Sequence, residues 1–174
     1  MAIFNVPRAG RKNENYTENL IQNMFYDDNC VFKQGFGVID NSAEEVIYSF
    51  DFVRNSVGKN NVLKTHYFEL FIEYEIGMCT AMMIAEKIGR ELYNAGFQCF
   101  VTVTDLGDRY LIAVAVNSVS FKNGYLFQDN NDCYANVFQF VSSLLPDCID
   151  IQVSENTFFD PAKQDGNYCH GEYA

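Results

Sequence analysis

An α+β fold, with a central antiparallel sheet and helices packed on it, is what this sequence predicts. Three observations lead there. Segments of alternating apolar residues come in neighbouring pairs around tight-turn residues, as in antiparallel hairpins. Between them lie segments with apolar residues every three or four positions, as in amphipathic helices. Hydrophobic residues make up 48% and aromatic residues 16% of the 174 positions, enough for one substantial core.

Taken in order, Ala2–Val6 predicts a first strand. Residues Thr17–Phe25 predict a helix with Leu20, Ile21, Met24 and Phe25 on one face. Val31–Ile39 is Gly-punctuated and extended, an edge hairpin. Ser42 and Glu45 have capping-box spacing and open a helix whose core stripe is Val46, Phe50, Val53 and Val57. Thr65–Tyr74 predicts a strand with Phe68, Leu70, Ile72 and Tyr74 inward, Glu69 and Glu73 outward. Met78–Ala95 is the longest helix, buried through Ala81, Ala85, Ile88 and Leu92, with Gly96 just past its end.

Gln98–Thr104 and Arg109–Asn117 are two strong strands joined through a turn containing Gly107. Asn123-Gly124 predicts a two-residue turn pairing Val119–Lys122 with Tyr125–Gln128. Asp132 caps a last helix bearing Val137, Phe138, Val141 and Leu144, and Pro146 stops it. Ile149–Val153 is a final strand. About three of the helices are long. Residues 1–154 form the domain and 155–174 a polar C-terminal tail, because hydrophobic density falls there.

Charge and composition narrow the function. The net charge is −11, from 12 basic and 23 acidic residues. A nucleic-acid binder needs a basic surface to displace counterions. Here the one basic stretch is Arg8, Arg11 and Lys12, which reads as a solvated arm. The six cysteines show no CxxC pair, so they read as mostly buried thiols rather than a zinc or disulfide frame. No apolar run approaches the roughly 18–20 residues of a membrane span, and no signal peptide is evident, which makes a soluble cytoplasmic protein the expectation. No cofactor is expected.

The stretch from Thr65 to Phe127 resembles the relaxases, the mobilisation nucleases of bacterial mobile elements. The resemblance rests on His66-Tyr-Phe-Glu-Leu-Phe, on the helix and strand AMMIAEKIGRELYNAGFQCFVTVTD, and above all on Asn117-Ser-Val-Ser-Phe121 followed by Gly124 and Phe127. It implies a relaxase-like α+β fold. In that family a pattern HxDxxxxHxHxxxN holds a divalent metal on histidines. The metal polarises a phosphodiester of single-stranded DNA, which a tyrosine of the first helix attacks.

Anchored on Asn117, the three histidine positions fall on Thr104, Leu111 and Ala113, and the aspartate position on Leu106. Leu and Ala cannot ligate a metal. His66 and Asn117 match the family. The nucleophile position falls nearer Met24, leaving Tyr26 as a weak candidate. The resemblance therefore implies a catalytically inactive relaxase-like domain acting in binding or regulation. A protein partner is favoured over DNA, single-stranded DNA is expected to bind only weakly, no membrane is involved, and the oligomeric state is open. Two other readings stay open: an interaction module with no DNA role, and an enzyme with an unrecognised site. Minor motifs are Asp105 with Asp108 on one turn, Cys169-His170 in the tail, and the sequon Asn15-Tyr-Thr17. Each reads as solvated or incidental.

Overall fold

A computed structural model describes residues 1–7, 14–59, 64–128, 130–147, 149–155 and 157. Arg8, Arg11, Lys12, Cys169 and His170 lie outside the described residues, as does most of the expected tail.

Within them the chain is α+β. Strands β1 (Ala2–Asn5), β2 (Cys30–Phe36), β3 (Thr65–Glu73), β4 (Phe97–Asp105), β5 (Arg109–Ser120) and β6 (Ile151–Val153) form one sheet in the order β2-β4-β5-β3-β1-β6. Four pairings are antiparallel; β1 and β6 run parallel. The sheet is thus mixed at one margin and antiparallel through its centre. The helices are α1 (Tyr16–Phe25), α2 (Ala43–Ser56), α3 (Met78–Asn94) and α4 (Asn131–Leu144).

Side chains of a strand alternate between faces, so a sheet apolar on both faces needs cover on both. That is the case here. Phe68, Leu70, Val101, Val103, Ile112 and Val114 pack with Ala85 and Ile88 of α3 and Tyr134 and Val141 of α4. On the opposite face, Phe100, Ala113 and Ala115 pack with Ile21 and Phe25 of α1 and Val46 and Phe50 of α2.

Several local expectations change. The segment from Cys30 is a single edge strand on β4, not a hairpin. Tyr74 leaves the strand pattern: it starts a 3-10 turn, Tyr74–Ile76, and is exposed. In α2 the third inward position is Arg54, not Val53 or Val57, because Val46, Phe50 and Arg54 keep the four-residue step. Its buried guanidinium is satisfied by the Lys64 carbonyl at 3.1 Å and by Asp51. Burial pulls the Arg54 pKa down, and nearby Glu18 opposes that shift.

Asn130, not Asp132, caps α4, its Oδ1 accepting from the Cys133 N–H at 2.9 Å. Ser42 caps α2 as expected, accepting from the Glu45 N–H. The Asn123-Gly124 hairpin is reduced to one bridge, Val119 with Leu126. A two-residue type I′ turn needs positive φ at both residues, and only Gly124 has it. A wider turn forms instead, with the Gly124 N–H donating to the Ser120 carbonyl at 2.9 Å.

Candidate functional site

The β4–β5 hairpin brings together Thr104, Leu111 and Ala113, the positions that the resemblance assigns to histidines. Its register sets Thr104 opposite Leu111 and Thr102 opposite Ala113. Directly paired residues point to one face, and so do residues two apart on β5. Thr104, Leu111 and Ala113 therefore share the face that carries α1 and α2.

These side chains do not fit a metal. Leu111 and Ala113 offer no lone pair, and the Thr104 hydroxyl donates to Asp27 Oδ2 at 3.0 Å. No group of three or more His, Cys, Asp or Glu residues that could hold a metal occurs among the described residues. Asp105 and Asp108 do not converge either: Asp105 accepts from the Gly107 N–H at 2.8 Å, while Asp108 pairs with Arg109 at 2.6 Å.

The remaining sequence candidates separate. Tyr26 follows α1 directly, one residue before Asp27; its ring is 60% exposed and lies edge-on to Phe25. Met24, near which the resemblance sets the nucleophile position, is buried in the α1–α2 core. Asn117 lies on the same face as Leu111, about 20 Å along β5 at roughly 3.4 Å per residue. It is fully buried, and its amide donates to the Phe50 carbonyl at 3.1 Å and to Gln98 Oε1 at 2.8 Å. That ties α2 to the sheet.

His66 stands opposite Val116, on the other face. Its ring rests on Phe127 at 4.7 Å, with Nδ1 3.3 Å from the Tyr134 hydroxyl. β3 is an interior strand, flanked by β5 and β1. His66 cannot join Thr104, Leu111 and Ala113 in one site, because the sheet stands between them.

Beside Ala113 the structure assembles a polar group that sequence reasoning passed over. Glu69 is the cross-strand partner of Ala113, and Asn5 is the partner of Glu69. Tyr67 Oη donates to Glu69 Oε1 at 2.9 Å, and Asn5 Nδ2 donates to Glu69 Oε2 at 2.7 Å. Burial, reinforced by the Glu69 charge, pushes the Tyr67 pKa well above the usual phenol range, so this phenol stays protonated. Tyr67 and Glu69 stand at i and i+2 on a strand; that spacing was the available signal.

The half-buried Ile3, Phe71 and Leu111 continue this face toward the β4–β5 turn. A cleft of about 240 Å³ opens there, lined by Ile3, Phe71, Glu73, Asp108 and Arg109 among others. What the arrangement offers is a fixed carboxylate, neutral hydrogen-bond donors around it and an apolar wall.

No family model matches the chain, and no curated protein or solved structure matches it either. No helix among the described residues is long and apolar enough to cross a membrane.

Proposed function

We propose that the chain is a catalytically inactive relaxase-like domain, linked to bacterial mobile elements, that works by binding a protein partner. One observation carries the reading. The hairpin register gathers on one sheet face the three positions that the resemblance assigns to metal ligands, and the side chains there are a threonine already bonded to Asp27, a leucine and an alanine. The resemblance of Asn117-Ser-Val-Ser-Phe121 to the family supplies the evolutionary half of the argument. The charge of −11 favours a protein over a polyphosphate as the bound partner.

The test is direct. The purified chain, incubated with magnesium or manganese, should nick neither supercoiled plasmid nor single-stranded oligonucleotide. Metal-dependent nicking that Tyr26→Phe abolishes would overturn the inactive reading. Single-stranded DNA should bind no tighter than roughly 10⁻⁴–10⁻⁶ M at physiological salt. Tight binding with a steep salt slope, lost on neutralising Arg8, Arg11 and Lys12, would replace the protein partner with DNA.

A further inference from the structure

We infer that the open end of the α1–α2 sheet face binds an extended peptide segment of a protein partner, through a lysine or arginine seated on Glu69 and an apolar side chain seated on Ile3, Phe71 and Leu111. The inference rests on the protein-binding reading above and names the chemistry of that partner.

Four observations converge on it. The Glu69 carboxylate is half-buried, and its partners are two neutral donors, Tyr67 and Asn5. Its ion pairs among the described residues number none, although a desolvated carboxylate gains most from a cationic donor. The nearby Asn5 Oδ1 is a second acceptor, buried without a donor. Both sit in one cross-strand row with Ala113, the row next to the half-buried Ile3, Phe71 and Leu111.

The neighbouring row supplies the apolar half. Ile3, Phe71 and Leu111 are consecutive cross-strand partners, two residues along from the Asn5–Glu69–Ala113 row. Two residues of strand span about 7 Å, which is also the distance between alternate side chains of an extended peptide. A basic residue on Glu69 thus brings the residue two positions away onto Phe71.

The cleft volume of about 240 Å³ decides the size of the occupant. Small-molecule pockets run roughly 300–1,000 Å³. The cleft here suits one side chain of a longer ligand. Its rim is charge-balanced, Glu73 paired with the Met1 ammonium and Asp108 with Arg109, so the long-range selection of a basic segment comes from the acidity of the whole chain.

The test uses the full chain, isotope-labelled, and a capped heptapeptide with one arginine and one leucine two positions on, the rest alanine and glycine. Amide shifts should saturate and map to β1, β3 and the start of β5. Glu69→Gln keeps the size and one acceptor oxygen for Asn5, with the Tyr67 hydroxyl turning to accept from the new amide, and it should weaken binding about tenfold, the loss expected for one charge-assisted bond. Replacing the arginine by uncharged, near-isosteric citrulline should weaken binding similarly, and this arm stands even if Glu69→Gln folds poorly. A lysine peptide distinguishes ammonium from guanidinium, with binding of either supporting the inference. Shifts that never saturate, that map elsewhere, or that are equal for arginine and citrulline would overturn it. So would binding seen only after Arg8, Arg11 and Lys12 are neutralised, because the chain's own arm would then be the occupant. Failure here leaves the nicking result untouched, so the two readings fail separately.

Discussion

Asn117→Ala removes the one side chain that bonds both α2 and Gln98, leaving the Gln98 Oε1 acceptor buried without its donor. The loss should be about 1–3 kcal/mol, read by urea denaturation. Cys99 gives a pH dependence. Its thiol is fully buried, and burial raises its pKa above the ordinary 9.0. The native state therefore keeps a proton that the unfolded chain releases above about pH 9. Stability from this group is whole below that pH and falls as pH rises, by about 1.4 kcal/mol per pH unit. Tyr67 adds a second decline from its ordinary value of 10.0 upward. Urea titrations between pH 7 and 10.5 should show the fall, and Cys99→Ala should flatten its first part. Individual side chains were the least legible level of the sequence. Glu69 reads as a solvent-facing strand residue until β1 is known to place Asn5 against it, and Arg54 reads as surface until α2 is seated on the sheet.

At the level of elements, Gly89 sits inside α3, where glycine costs helix stability. A Cβ there would stand 2.1 Å from the Phe36 ring of the edge strand, so the helix and β2 approach as closely as a bare backbone permits. Gly89→Ala should destabilise by about 1–3 kcal/mol despite its better propensity, with thermal unfolding as the measurement. Ser42→Ala should cost about 1 kcal/mol by freeing the Glu45 N–H. Most elements were legible because period two and period 3.6 are written directly into β3, β4, β5 and α3. The failures came where one interaction overrules pattern. Asn130 took the cap of α4 from Asp132, and Asn123 kept an ordinary negative φ that forbids the tight hairpin.

For the whole molecule, the sequence showed a largely antiparallel sheet with packed helices but not which helices cover which face. β4 and β5 are apolar on both sides, so their pattern marks no outside. Nor did it show that the first strand sits between β3 and the last. Hydrogen exchange should rank the strands by this order: slowest in β5, which has neighbours on both sides and helices on both faces, and fast in the three-residue marginal strand β6. The parallel β1–β6 pair also has a mechanical consequence. Ala2 stands beside Ile151 and Phe4 beside Val153, with the Ala2 N–H bonded to Asp150 and the Ser154 N–H bonded to Phe4. Tension on the chain entering β1 and leaving β6 pulls the two strands lengthwise past each other. Their hydrogen bonds lie across that direction and must give way together rather than peel one by one, so the seam between β1 and β6 resists stretching more than its few residues suggest.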